Sequence, residues 1–179
     1  NGVAWEEAGV SHFLREIWSV GFGGSGTGTL GANLIFYSPL QVPFTLSLDG
    51  LGCVHGNVVA PGNIYLALYD SLNDQPNTRL AVTPSTADTG ASRKQLVPIA
   101  PLRLTPGLYF IALEADNTTS NFLLLVQNMY AAPANVNNGL TWYNENLGGY
   151  VQPPAVTTPA FSVDWAGQFM LYVRVSSVP

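Results

Sequence analysis

Val42-Pro43-Phe44-Thr45-Leu46-Ser47-Leu48-Asp49 alternates: Val42, Phe44, Leu46 and Leu48 are apolar, while Thr45, Ser47 and Asp49 are polar. Successive side chains of an extended strand point to opposite faces, so this period of two predicts one face on a core and one in water. On either side of it the pattern changes but the state does not. Ile64-Tyr65-Leu66-Ala67-Leu68-Tyr69 and Leu108-Tyr109-Phe110-Ile111-Ala112-Leu113 are apolar on both sides, as expected of central strands whose second face is also covered, with a neighbouring subunit as one source of that cover. Asn121 to Tyr130, Leu140 to Tyr143 and Gln168 to Val175 bring the set to roughly eight to ten strands. Pro61-Gly62, Asn73-Asp74-Gln75-Pro76-Asn77 and Thr105-Pro106-Gly107 supply the turns between them. Residues 83–95, 131–138 and Gln152 to Pro159 have little periodicity and read as surface loops. The pattern predicts an all-β fold, two antiparallel sheets packed as a jelly-roll-like β-sandwich.

The first 30 residues read differently. Val10, Phe13, Leu14, Ile17 and Trp18 recur at spacings of three and four, with Glu6, Glu7 and Glu16 between them, which predicts a short amphipathic amino-terminal helix. The run Phe13-Leu14-Arg15-Glu16-Ile17 also alternates and fits a strand. Phe13, Leu14, Ile17 and Trp18 are candidates for attachment or oligomer contact, against the alternative that they cap their own domain. Gly21-Phe22-Gly23-Gly24-Ser25-Gly26-Thr27-Gly28 has linker composition. The expected division is therefore 1–30, helix and glycine-rich linker, and 31–179, the sandwich. A start at Asn1 rather than Met, without a signal peptide's basic segment and apolar core, reads as a piece of something longer.

Charged residues make up 9% of the 179-residue chain and hydrophobic ones 47%, against roughly a quarter charged in ordinary globular domains. A disordered chain combines low hydrophobicity with high charge, so this one must fold. Its polar remainder of Asn, Ser, Thr, Gln and Gly bonds water or a neighbouring chain without the desolvation penalty of an ion, which suits permanent assembly. A net charge of -5 and six scattered basic residues argue against a nucleic-acid face. The longest apolar runs, such as Leu123 to Val126, fall far short of the roughly 20 residues of a membrane-spanning helix, so no membrane insertion is expected. Cys53 is the single cysteine and reads as a small buried hydrophobe.

Between Leu46 and Phe122 the order of features is informative. An alternating strand is followed by Asn63-Ile64-Tyr65-Leu66-Ala67-Leu68-Tyr69-Asp70, a loop bearing Pro76, Arg79-Leu80, and then Leu102-Arg103-Leu104-Thr105-Pro106-Gly107-Leu108-Tyr109-Phe110-Ile111-Ala112-Leu113. A strand ending in Leu-Tyr-Asp before a proline-bearing hairpin, then a Leu-x-Pro-Gly-x-Tyr-x-x-Ala segment, resembles a β-sandwich domain recurrent in bacteriophage tail fibre, tail spike and capsid decoration proteins. The resemblance covers somewhat under half of the chain, and its motifs are structural. It implies a virion-surface protein, a homo-oligomer and most simply a trimer, that acts with other virion proteins in assembly and adhesion. No catalytic residue comes with it.

The residues that carry chemistry support no enzyme. Gly21, Gly23 and Gly26 match G-x-G-x-x-G, yet Thr27-Gly28-Thr29-Leu30-Gly31 would not sustain the helix that nucleotide binding needs. His12 and His55 lack a serine elbow and form no metal site, and His55 reads as an edge or turn residue. Glu114 and Asp116 share a strand face as a glycosidase pair would, but their place before Asn117 reads as a solvated loop entry; Asp49 and Glu145 have no distinguishing context. Asp70, Asn73 and Asp74 offer oxygens to Ca²⁺ but are also ordinary turn residues. Asn117-Thr118-Thr119 is a glycosylation sequon. The expectation is no catalytic residue, no cofactor and no metal. Exposed aromatics that stack on sugars are the better lead, which makes Trp142, Tyr143, Asn144, Tyr150 and Trp165 candidates for contact with a host-surface glycan. A carbohydrate-binding module or lectin is accordingly the alternative to a structural virion protein.

Overall fold

The computed structural model describes residues 15–19, 25–31, 34–90, 93–126, 143–157, 160–161 and 167–178. Every regular element among them is a β-strand and every pairing is antiparallel. The chain opens with β1 (Glu16–Trp18), β2 (Ser25–Thr29), β3 (Leu34–Val42), β4 (Leu46–Val54) and β5 (Asn63–Leu72). It continues through β6 (Gln75–Val82), β7 (Thr86–Ala87), β8 (Lys94–Leu104), β9 (Gly107–Ala115) and β10 (Asn121–Val126). It closes with β11 (Tyr143–Asn146), β12 (Ala160–Phe161), β13 (Gly167–Phe169) and β14 (Leu171–Ser177). One sheet runs β12-β11-β3-β9-β5-β6, with β7 also on β5; a second runs β1-β14-β4-β8; a third runs β13-β10-β2. One of the sheets curls into a half-barrel.

Several local expectations change. The alternation from Val42 to Asp49 is not one strand: β3 ends at Val42, residues 43–45 turn, and β4 starts at Leu46. Pro43 has no amide hydrogen to give a ladder, which favours the break there. No amino-terminal helix is seen among the described residues. Ile17 and Trp18 lie in β1, registered against Val173 and Tyr172, because three residues of alternating pattern gain more from a strand partner than from one helical turn; Phe13 and Leu14 lie outside the described residues. Ser25–Thr29, expected within a linker, pairs with β10 over five registered positions. The segment 83–95, expected as a loop, holds β7 and the start of β8. The β5–β6 turn has Asn73 and Asp74 at φ of 53° and 60°, the left-handed pair that a tight two-residue hairpin requires.

The core lies between inner faces. In the four-stranded sheet, Ile17, Val173, Leu51 and Val97 share one rung; in the larger sheet, Phe36, Leu113 and Leu66 share another. Both sets join one apolar cluster with Phe122, Leu124 and Phe169. Phe169 meets Phe36 and Phe122 edge-on at 5.2 and 6.1 Å, the favoured aromatic geometry. Each such side chain taken fully from water contributes about 1.5–3 kcal/mol. The opposite face of β3, β9 and β5 is also buried, as Ile35, Tyr37, Ala67, Tyr69, Phe110 and Ala112. Part of its cover comes from the chain itself, in the segment after β11. In the four-stranded sheet β1 and β14 lie antiparallel with Glu16 opposite Arg174, and the amide of Val175 donates to the carbonyl of Arg15. The chain therefore enters β1 and leaves β14 at the same end of the sheet.

Candidate functional site

The second buried face carries a concentration of polar groups. Direct register places Glu145, Ile35, Glu114 and Tyr65 in one rung across β11, β3, β9 and β5. Paired antiparallel residues point to the same side, so two carboxylates flank Ile35 with backbones about 10 Å apart, two strand spacings. The next rung holds Tyr37, Ala112 and Ala67, and the one after it Pro39, Phe110 and Tyr69. Tyr37 and Tyr69 meet edge-on, with ring centroids 5.3 Å apart. The Tyr37 hydroxyl donates to Glu145 Oε2 at 2.8 Å. Burial, then the neighbouring Tyr69 and Glu145, holds Tyr37 well above the ordinary tyrosine range. Burial likewise raises Tyr69, whose hydroxyl donates to the carbonyl of Pro154 at 2.8 Å.

Residues 147–157 form a strap that leaves the β11 side of this sheet and reaches the far edge at β6. Gly148, at φ 72°, starts the crossing, and its amide donates to Asn146 Oδ1 at 2.8 Å. Leu147 packs on the tyrosine face. Tyr150 stacks on Tyr65 with centroids 4.9 Å apart and shares a 2.9 Å hydrogen bond with Ser85 Oγ. Beyond the face, Arg79 donates from its guanidinium to the Pro153 carbonyl and from its amide to that of Ala155. Val156 bridges to Thr78. Thr157 donates from its amide to Asn77 and from its hydroxyl to Pro76. The strap thus occupies part of the outer edge of β6.

Glu114 lies beneath it. The residue is 0% exposed, and one carboxyl oxygen, Oε1, accepts the amide of Val151 at 3.2 Å. The other, Oε2, has no hydrogen-bond partner among the described residues. Burial disfavours the charged form and pushes the group up to about 7, against a smaller lowering by the Val151 amide. The expected solvated loop entry is therefore wrong for Glu114: the last residues of a strand buried on both faces are still inside. It holds for Asp116, which is exposed and accepts the amide and side chain of Asn63 at 2.7 and 2.9 Å. The two do not form a pair of equivalent carboxylates.

A second cluster surrounds His55, which is buried rather than at an open edge. Its Nδ1 is 3.1 Å from Asp88 Oδ1, a close contact whose direction falls short of a hydrogen bond. Its Nε2 lies 2.8 Å from Gln95 Oε1 and 3.7 Å from Cys53 Sγ. Gln95 Nε2 donates to the Ala87 carbonyl while Oε1 accepts the Thr89 amide, so the side-chain oxygen faces His55 and Nε2 is the donor. Thiol, imidazole and carboxylate stand in the order that nucleophilic catalysis uses. Here, however, Cys53 is 0% and His55 1% exposed, and burial, with the Asp88 charge second, drives the thiol far above its ordinary range. A protonated, enclosed thiol is a poor nucleophile. The cluster pins residues 87–89 to β4 and β8.

A third cluster lies on the outer side of the four-stranded sheet. Trp18, Tyr172 and Gly52 share a rung; the Trp18 and Tyr172 rings are 4.7 Å apart, and Lys94 Nζ sits 4.5 Å above Trp18 while pairing with Glu16 at 2.5 Å. Burial raises Tyr172 to about 12.

Of the glycan candidates, Tyr150 is joined to Tyr65 and Ser85. Tyr143 and Asn144 are in β11 opposite Tyr37 and Phe36, and Trp142 and Trp165 lie outside the described residues. Ile17 packs against the main core and Trp18 against Tyr172. Asp70 accepts the Thr78 amide at 2.6 Å and so closes the hairpin. No group of three or more His, Cys, Asp or Glu is arranged for a metal among the described residues. In the sequon, Asn117 Oδ1 accepts the amides of Thr119 and Ser120 while Nδ2 is buried, so the acceptor nitrogen is shielded in the folded chain. Tyr37, Tyr65 and Tyr69 were not singled out by sequence; their signal was aromatic residues at alternate positions on the less apolar face of doubly covered strands. No protein-family model matches the chain, and no similar curated protein is found.

Proposed function

We propose that the chain is a jelly-roll-like β-sandwich on the surface of a bacteriophage particle, in a tail fibre, tail spike or capsid decoration, and that it acts by assembly and adhesion without catalysis. The observation that carries this reading is where the reactive groups sit. Cys53, His55, Asp88 and Glu114 are all buried, which leaves outward contact to a surface of mainly uncharged polar residues with a few scattered charges such as Lys94, Arg103 and Asp116. The family-like order of features has structural roles that support it: Leu68-Tyr69-Asp70 leads into the Asn73-Asp74 turn, and Thr105-Pro106 opens the central strand β9. Light scattering on the purified protein tests the assembly. A trimer, or association with other virion proteins, is expected, and a strict monomer that binds none of them would overturn the reading.

The half-buried Tyr65–Tyr150 stack with Ser85 at its edge favours a second reading, a glycan-binding module. A glycan array separates the two. Binding lost in Tyr150→Ala, Trp142→Ala or Trp165→Ala, with folding intact, supports glycan recognition; a blank array beside a stable trimer leaves the structural role.

A further inference from the structure

Glu114 sits where the strap crosses β9, and the strap's own amide at Val151 is the hydrogen bond it receives. We propose that the strap is a proton-controlled latch, closed over the tyrosine face while Glu114 is protonated and lifted when Glu114 ionises. A neutral carboxyl tolerates a dry site with one acceptor bond. A carboxylate there has one oxygen without a partner among the described residues, and an under-bonded buried charge is among the most destabilising groups in a fold.

Among the described residues its surroundings offer no countercharge. β3 presents Tyr37, β5 presents Tyr65 and Tyr69, β11 presents Glu145, the end of β9 presents Asp116, and the strap presents Tyr150. The cation on β6, Arg79, acts on Tyr69 and is engaged by the strap carbonyls. Once the proton has gone to solvent, the low-energy response is to admit water. The strap is the thinnest cover over Glu114: Val151 and Gln152 are exposed, and the crossing has no ladder of its own until it reaches β6. Burial places the changeover near neutral pH.

Hydrogen exchange on the intact chain, corrected for the intrinsic pH dependence of amide exchange, tests the latch at the amides of Val151, Arg79 and Thr157. If opening restores an ordinary carboxyl, their protection falls roughly 50- to 100-fold between pH 5 and pH 8.5, while Leu66 and Leu113 in the sheet keep theirs. Glu114→Gln, which cannot ionise, should remove the fall. Protection that is independent of pH in the native protein, or that falls equally in Glu114→Gln, overturns the proposal. Thr157→Ala provides a check that does not need the Glu114 variant to fold. Weakening the far anchor should move the opening midpoint to lower pH, and an unmoved midpoint also overturns the latch.

Discussion

Gly52 shows how a single hydrogen atom determines packing. A Cβ built there would stand 2.2 Å from the Tyr172 ring, far inside contact distance, and Tyr172 is itself held beneath Trp18 and Lys94. Gly52→Ala should cost about 1–3 kcal/mol through overpacking, read as a lower urea midpoint with an unchanged slope. Cys53 makes the opposite point, that a reactive type can be silenced by its location. The native thiol should resist a disulfide-exchange reagent such as DTNB and react at once in denaturant; rapid reaction of the folded protein would show that the His55 cluster opens. Cys53 as a buried strand residue was legible from sequence. His55 was not, because its partners Asp88 and Gln95 are 33 and 40 positions away, Gln95 brought in by the β4–β8 register and Asp88 by the β5–β7 pairing and its amide bond to the Gly62 carbonyl.

At the scale of elements, strands with strong periodicity or doubly apolar runs were readable and those with interrupted patterns were not. β5 and β9 follow from their sequences because burial on both faces demands apolar residues at every position. β8 was hidden by Pro98 and Pro101. Its register shifts between the Leu48–Leu102 and Gly50–Pro98 pairs, and a proline is accommodated at such an irregularity on an edge strand without losing a needed ladder bond. β2 was hidden by glycine, since its partner β10 rather than its own side chains makes it a strand. The strap was legible only as a proline-rich loop, and its course over the tyrosines depends on contacts that no local pattern encodes. Burial on the inner face predicts the mutational contrast. Leu66→Ala, at 0% exposure in β5, should lose about 2–5 kcal/mol, whereas Leu72→Ala, 57% exposed at the hairpin end, should stay within about 0.5 kcal/mol. Urea denaturation of both variants measures the difference.

For the whole molecule, Glu114 links stability to pH. Its carboxyl is raised from an ordinary 4.5 to about 7 in the folded chain, so the native state holds a proton that the unfolded chain has released. Its contribution is fully present below pH 4.5, declines as pH rises, and is gone above about 7. Integrated over that window it is on the order of 3 kcal/mol. Unfolding free energies of native protein and Glu114→Gln, compared at pH 5 and pH 8, should diverge in that sense, the native protein losing ground at pH 8; parallel curves would contradict it. The common end at which Arg15 enters β1 and Ser177 leaves β14 has a mechanical consequence. Tension drawn between those two points acts across the strands rather than along them. It loads the Glu16–Arg174 rung first, then Ile17–Val173, then Trp18–Tyr172, so the pair unzips one rung at a time instead of resisting as a set. Traction between those points is met by a soft peel of three rungs, with the Glu16–Lys94 pair to β8 a contact outside that ladder loaded alongside the first of them.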